Sequence, residues 1–220
     1  MRRLSLVPVF LGLAGAAQAA LPAPAYNPPD TASSETAILS GGCFWGVQGV
    51  FEHVKGVSQA LSGYTGGQKA TADYETVSTG STGHAESVKI TFNPRVISYG
   101  QILQIYFAVT ADPTELNYQG PDHGTQYRGE IWTTSPQQKE IATRYIAQLG
   151  ADHAFPAPIV TRVDAAMPFY PAEGYHQDFL IRHPDNPYIV FNDIPKVEAL
   201  KAQFPALYET DPVTVLKGNT

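Results

Sequence analysis

Residues 36–54, TAILSGGCFWGVQGVFEHV, decide the fold where the globular part of the chain begins. The apolar segment from Thr36 to Leu39 predicts a short strand, and Gly41-Gly42 predicts a tight turn directly after it. Four large apolar side chains then recur at helical spacing: Phe44, Val47, Phe51 and Val54. The stretch therefore predicts a strand, a turn and a helix, with Cys43 at the first turn of the helix.

Cys43 is the one cysteine in the 220-residue sequence, so no internal disulfide can form. Free backbone N–H groups and the helix dipole favour an anion at a helix start, so we expect its thiolate to be stabilised and nucleophilic. The competing interpretation is a small buried side chain without chemistry. Phe44 lies on the apolar stripe of the helix, where core packing competes with a role in a site. Trp45 lies off that stripe, which favours a position lining a cleft.

Strands and helices interleave along the rest of the chain. Residues 85–92 predict the clearest strand, because one face of the alternating pattern is apolar after its first member: Glu86, Val88, Ile90 and Phe92. Residues 111–129 form a long polar loop. Other strands are predicted at 57–65, 130–133 and 159–163, and other helices at 98–109, 135–150, 173–181 and 194–204. The order predicts an α/β or α+β fold in one layered domain.

Glu86 is unusual because it shares a strand face with apolar residues. Burial raises the pKa of a carboxyl group, and a neutral acid in a dry site can donate a proton to a developing negative charge. The alternative is a strand-end glutamate that reaches water past Gly83 and His84. His84-Ala85-Glu86 also resembles the H-x-E part of zinc deaminases, but those enzymes need further cysteines, so we predict no metal site.

The N-terminus has the features of a secretory signal peptide. Arg2 and Arg3 form a basic start, Leu4 to Gly15 is apolar, and Ala17-Gln18-Ala19 matches an A-x-A cleavage site. The apolar run is shorter than the roughly 20 residues that cross a bilayer. We therefore expect residues 1–19 to be removed on export to the bacterial periplasm or outside the cell, leaving no membrane association.

Composition sets the remaining limits. With 43% hydrophobic and 15% charged residues, the chain is expected to be globular rather than disordered. A net charge of −6 with 14 basic residues argues against binding to nucleic acid or to an anionic membrane surface. We predict one domain at 35–210, preceded by a Pro-, Ala- and Ser-rich linker at 20–34 and followed by a loose tail at 211–220.

Short motifs along the chain, in order, are similar to those of one enzyme family. Gly42-Cys43-Phe44-Trp45-Gly46 resembles the signature of the A-class peptide methionine sulfoxide reductases. Further similar blocks are GYTGG at 63–67, Tyr74-Glu75 before Val77, TGHAE at 82–86, GPDHGTQYR at 120–128 and AEGYHQ at 172–177. Together they cover about Glu35 to Leu207 in the order of the family.

The resemblance implies a fold and an activity. The fold is a two-layer α/β sandwich with a central mixed sheet, ferredoxin-like, with extensive coil. The activity is reduction of the S epimer of methionine sulfoxide in oxidised proteins or peptides, and possibly of the free amino acid. No bound cofactor is implied, and an external thiol, such as a thioredoxin-like protein, would restore the enzyme.

The resemblance also implies residue roles. It makes Cys43 the nucleophile, Glu86 the proton donor to the sulfoxide oxygen, and Tyr74 and Tyr127 further hydrogen-bond donors to that oxygen. Attack of the thiol on sulfur would release methionine and leave a sulfenic acid. The alternative interpretation of both tyrosines is that they pack in the core without a catalytic role. The residues implied to hold the substrate or organise the site are Phe44, Trp45 and Asp122.

The sequence departs from many members of this family in three places. No resolving cysteine stands near the C-terminus, which leaves the recycling route open. Phe179 stands where a tyrosine is frequent, and Tyr118 where an arginine is frequent, which affects substrate preference at most.

Two other interpretations stay open from the residues alone. One is a secreted cysteine hydrolase that pairs Cys43 with His84 or His176. The other is a carbohydrate- or peptide-binding domain without catalysis, for which the twelve tyrosines are suggestive.

Overall fold

The computed structural model describes residues 21–216, so the predicted signal peptide lies outside the described residues. Within them are eight strands: β1 Glu35–Ser40, β2 Val57–Thr65, β3 Ala85–Phe92, β4 Tyr118–Gln119, β5 Asp122–His123, β6 Glu130–Thr133, β7 Arg162–Ala165 and β8 Tyr170–Pro171. There are six α-helices: α1 Phe44–Glu52, α2 Tyr74–Val77, α3 Tyr99–Ile105, α4 Pro136–Ala151, α5 Phe179–Arg182 and α6 Ile194–Gln203.

Six strands form one mixed sheet in the order β7-β6-β1-β3-β2-β8, and β4 pairs with β5 separately. The β6–β7 pair is parallel, and the other neighbours are antiparallel. In β3 the alternation predicted from the sequence is confirmed, because Glu86, Val88, Ile90 and Phe92 are all buried. The strand predicted at 159–163 begins later, at Arg162, where pairing with β6 starts opposite Glu130.

The helices cover one face of the sheet and enclose the main core. In β1, Ala37 and Leu39 belong to this core, whereas Ile38 points to the other face with Ala85 and Trp132. This arrangement confirms the predicted α/β class with a central mixed sheet. None of the helices within residues 21–216 is both long and apolar enough to cross a membrane.

Two predicted helices are interrupted. The helix expected at 98–109 starts with a capping box between Ser98 and Gln101, but after α3 it continues as a π-helical turn at Tyr106–Thr110. The helix expected at 173–181 is a 3₁₀ turn at Gly174–His176 followed by α5, because Asp178 between them has a φ of +54°.

Both ends of the described chain pack on the domain. Residues 21–34 have no regular helix or strand, but the Pro22 carbonyl accepts the Tyr145 hydroxyl at 2.8 Å. At the other end, the Asp178 carboxylate accepts the N–H groups of Val215 and Leu216. The expectation of a loose tail is therefore wrong up to residue 216, because a buried carboxylate holds the backbone there.

Candidate active site

The turn between β1 and α1 places Cys43 at the helix N-terminus. Gly42 has a φ of +86°, and its N–H donates to the Tyr127 carbonyl at 3.1 Å. A Cβ at Gly42 would lie 2.8 Å from the Cβ of Gln119, so a larger residue would shift the turn. Cys43 itself is the N-cap of α1 and is 8% exposed.

Glu86 lies next to the same helix start. It is 2% exposed, and its Oε2 accepts the Phe44 backbone N–H at 3.0 Å. Burial raises the pKa of Glu86 to about 8, with a further increase from Asp122, while the bond from Phe44 opposes the shift. The prediction that Glu86 is buried is confirmed, and the raised pKa favours the protonated carboxyl group at neutral pH.

The surroundings of Cys43 oppose ionisation of its thiol. Burial raises the pKa of Cys43 well above its ordinary value, and the negative charges of Glu86 and Asp193 add to this. The Trp45 backbone N–H and Lys196 lower it by less. Desolvation and two carboxyl groups thus act against the expected thiolate, and stabilisation of the thiolate by the helix start stays a prediction.

Tyr74 and Tyr127 lie near this pair from two separate elements. Tyr74 opens α2 and donates its backbone N–H to Glu173 Oε1 at 3.0 Å, and Tyr127 ends a 3₁₀ turn. Burial, followed by the charge of Glu86, raises the pKa of both hydroxyls. Cys43 contributes to both shifts as well, so the four predicted catalytic residues come together. Both tyrosines remain hydrogen-bond donors at neutral pH.

An aromatic wall stands beside Cys43. The Trp45 ring stacks on Phe179 with 3.8 Å between centroids, and Tyr188 meets the Trp45 ring edge-on at 5.8 Å. Trp45 Nε1–H donates to His176 Nδ1 at 3.0 Å, which fixes the indole. Trp45 is partly exposed at this wall, as its position off the helical stripe predicts. Phe44, in contrast, is 1% exposed, so its predicted contact with substrate stays a prediction.

Asp122 lies at the edge of the site on β5. It accepts a hydrogen bond from the Tyr188 hydroxyl, and its charge acts on Glu86 and Tyr127. Tyr188 was missed in the sequence, because its partner Asp122 lies 66 positions away and only the fold brings the two together. Asp193 and Lys196, which pair at 3.2 Å and whose charges act on Cys43, were missed as well.

The histidines do not form a dyad with Cys43. The His84 ring accepts from the Gly67 N–H and bonds the Gln68 carbonyl, and His176 Nδ1 is used by Trp45. Burial lowers the pKa of His176, and the charge of Glu173 opposes this shift. This geometry does not support the hydrolase interpretation. Residues 21–216 contain no group of three or more His, Cys, Asp or Glu side chains that could hold a metal ion.

Comparison with known proteins adds independent evidence. A sequence profile of the family described as peptide methionine sulfoxide reductase matches residues 35–207. The peptide methionine sulfoxide reductase MsrA 2 of Mesorhizobium japonicum is 62% identical over 186 residues, covering 84% of this chain and 95% of that protein. The protein of the same name from Synechocystis sp. is 47% identical, covering 81% of this chain and 84% of that protein.

Solved structures agree with the sequence comparison. Reduced Mxr1 from Saccharomyces cerevisiae has a TM-score of 0.62 at 28% identity, covering 73% of this chain and 91% of that chain. Methionine sulfoxide reductase A of Corynebacterium diphtheriae has a TM-score of 0.59 at 31% identity, covering 70% of this chain and 77% of that chain.

Proposed function

The chain belongs to the peptide methionine sulfoxide reductase family, and we propose that Cys43 and Glu86 carry out its thiol-dependent reduction of methionine sulfoxide. The enzyme is an oxidoreductase, and its reaction repairs oxidised methionine. The observation that supports the residue assignment is the buried Glu86 carboxyl group, which accepts the Phe44 N–H one residue from Cys43 and whose pKa burial raises to about 8.

The two groups meet the two needs of the reaction. A sulfoxide sulfur is a poor electrophile until its oxygen is protonated, and Glu86 supplies that proton. The Cys43 sulfur attacks the substrate sulfur, and the thiol proton restores the acid form of Glu86. The oxygen moves from substrate to Cys43, so that thiol and sulfoxide become sulfenic acid and thioether. Both groups start neutral, which avoids two adjacent buried negative charges.

The surrounding residues orient the substrate. The Tyr74 and Tyr127 hydroxyls donate to the sulfoxide oxygen as its charge grows. The Trp45–Phe179 wall holds the substrate methyl group, and Asp122 fixes the Tyr188 edge of that wall. The hydrogen-bond donors hold the sulfoxide oxygen on one side of the sulfur, and the aromatic wall holds the methyl group on the other. This arrangement accepts one epimer at sulfur, which we propose is the S epimer.

The test of this proposal is turnover of a peptide that contains methionine S-sulfoxide, with a small dithiol as reductant. Cys43→Ser should reduce the rate at least 100-fold, equivalent to about 2.7 kcal/mol of barrier, while circular dichroism and thermal unfolding stay unchanged. A folded Cys43→Ser enzyme with more than a hundredth of wild-type activity would contradict the assignment. Equal consumption of the R epimer would contradict the proposed orientation.

An external thiol completes the proposed cycle. Since Cys43 is the one cysteine of the sequence, no thiol within the chain can reduce its sulfenic acid. A thioredoxin-like dithiol protein would attack Cys43, form a mixed disulfide and then release it. A variant of such a protein that lacks its second cysteine should remain trapped on Cys43. Failure to trap a complex with oxidised enzyme would count against a dithiol partner.

Export is a further part of the proposal, and it is supported by the composition of residues 2–19. Removal of this segment takes away Arg2 and Arg3 and makes the chain two charges more acidic. Expression in a bacterium should yield a periplasmic protein whose mass corresponds to cleavage after Ala19. Recovery of the full-length chain in the cytoplasm alone would contradict this.

A further inference from the structure

A groove leads away from the active site. It has a volume of about 590 Å³ and runs from Cys43 past Thr110 and Phe155, with Phe191 on its rim. Asp122 and Tyr188 line both the groove and the active site. A polypeptide whose sulfoxide side chain reaches Cys43 would therefore place neighbouring residues in this space.

The charge along the groove is mainly negative. Asp112, Glu115 and Asp122 line it, and Lys196 is the one basic residue among the described lining side chains. Lys196 is paired with buried Asp193 at 3.2 Å, so its charge is largely offset.

Two of these carboxylates are held in place by the loop before β5. Glu115 Oε2 accepts the Gly120 N–H at 2.9 Å, and Asp112 Oδ1 accepts the Thr114 hydroxyl at 2.6 Å. The negative charges therefore have fixed positions on one side of the groove. An arranged set of like charges attracts an oppositely charged ligand and discriminates against a like-charged one.

The rim of the groove offers apolar contact as well. Phe191 is 77% exposed on a π-helical turn at Ile189–Asp193, although most phenylalanines are buried. Such an exposed ring beside a catalytic groove suits a side chain or backbone of an extended ligand.

We propose that this groove binds the residues next to methionine sulfoxide in an extended polypeptide and selects basic residues there. The inference rests on the proposed function and specifies its substrate class. The enzyme then favours oxidised methionines in basic sequence contexts over those flanked by acidic residues.

The test uses three peptides that contain methionine S-sulfoxide flanked on both sides by lysine, glutamine or glutamate. Single-turnover kcat/KM, measured without reductant, should be about tenfold higher for the lysine peptide than for the glutamate peptide at about 10 mM salt. At about 1 M salt, where the Debye length falls to about 3 Å, the ratio should approach one. Equal values at low salt would overturn the inference, and so would a preference that salt does not change.

Substitution of the groove carboxylates tests whether they cause the preference for basic flanking residues. Asp112→Asn combined with Glu115→Gln should lower the lysine-to-glutamine ratio at least threefold at low salt. Glu140→Gln on α4 is the control, because it removes an exposed carboxylate outside the groove, and it should leave all three peptides unaffected. An unchanged ratio in the double variant would overturn the inference. Loss of turnover of all three peptides by the wild type would instead contradict the proposed function.

Discussion

The proton on Glu86 sets the pH range in which the active site works. Because burial raises the pKa of Glu86 to about 8, the acid form is present below that pH and is lost as the pH rises through it. For the free enzyme, kcat/KM should therefore fall above about pH 8. The decline should be visible in single-turnover rates with a neutral peptide. A flat profile between pH 7 and 9 would show that Glu86 is not the acid.

Glu86→Gln keeps the shape of the side chain and its acceptor for the Phe44 N–H, but it removes the acidic proton. We expect the single-turnover rate to fall by about 100-fold or more, with a smaller change in substrate Kd, and the decline near pH 8 to disappear. Glu140→Gln on α4 serves as the control. A variant with the wild-type single-turnover rate would remove Glu86 from the mechanism.

Residue-level prediction succeeded where the signal was local. Alternation along β3 was sufficient to predict that Glu86 is buried, because neighbouring positions in a strand determine its two faces. His176 and Tyr188 could not be predicted in the same way. Trp45 and His176 are 131 positions apart, and only the folded chain brings their rings together. The raised pKa of Cys43 also depends on tertiary packing, since Asp193 comes from a distant segment.

At the scale of elements, the C-terminal strap (residues 213–216) supports the segment that carries the aromatic wall. Asp178 is buried with a φ of +54°, and its carboxylate accepts the N–H groups of Val215 and Leu216 at 2.9 and 2.7 Å. Phe179, which stacks on Trp45, is the next residue. The strap therefore helps to hold one wall of the active site, a role that the sequence of a cysteine-free tail does not indicate.

Deletion of the chain from residue 213 onward should lower the free energy of unfolding by about 2 kcal/mol, because two hydrogen bonds to a buried carboxylate are lost. It should also raise KM for peptide substrate more than it lowers kcat, since Phe179 becomes less well fixed. Urea unfolding and steady-state kinetics measure the two effects. Asp211→Asn, at an exposed residue just before the strap, is the control. Unchanged stability and KM after deletion would show that the strap neither stabilises the fold nor positions Phe179.

Glu52 gives this region a pH dependence of stability. It is 1% exposed, and burial together with Asp178 raises its pKa to about 9. The folded state thus keeps a proton that the unfolded chain loses above about pH 4.3, so stability falls as the pH rises from about 5 to 9. Glu52→Gln should reduce this slope by about 1.4 kcal/mol per pH unit, roughly one proton. Identical slopes in urea unfolding of wild type and variant would contradict a protonated Glu52.

Element boundaries were predictable where local pattern and capping decide them, as at α3 with its Ser98 cap. They were missed where a distant partner decides them. The late start of β7 follows from its pairing with β6, and the break before α5 occurs at Asp178, which the strap contacts. Periodicity in the local sequence cannot reveal partners that are distant along the chain.

At the scale of the whole molecule, the single cysteine determines what one turnover leaves behind. The oxygen removed from the substrate must reside on Cys43, because the sequence offers no second thiol to form a disulfide. The same burial that raises the pKa of Cys43 leaves its side chain 8% exposed, so a reducing thiol must reach it through the active site. The oxidised state should therefore persist as a sulfenic acid.

After one equivalent of methionine S-sulfoxide is reduced without added thiol, intact mass should show one added oxygen, and a sulfenic-acid probe should label Cys43. Glu86→Gln is a useful control, because its slow first step should leave most molecules unmodified over the same time. Addition of a small thiol should restore the original mass and a second turnover. Excess peroxide should then drive the oxidised enzyme to the sulfinic acid, which thiols do not reverse. If a full equivalent of methionine forms while Cys43 keeps its original mass and its thiol reactivity, electrons do not come from this residue, and oxygen transfer to Cys43 is wrong.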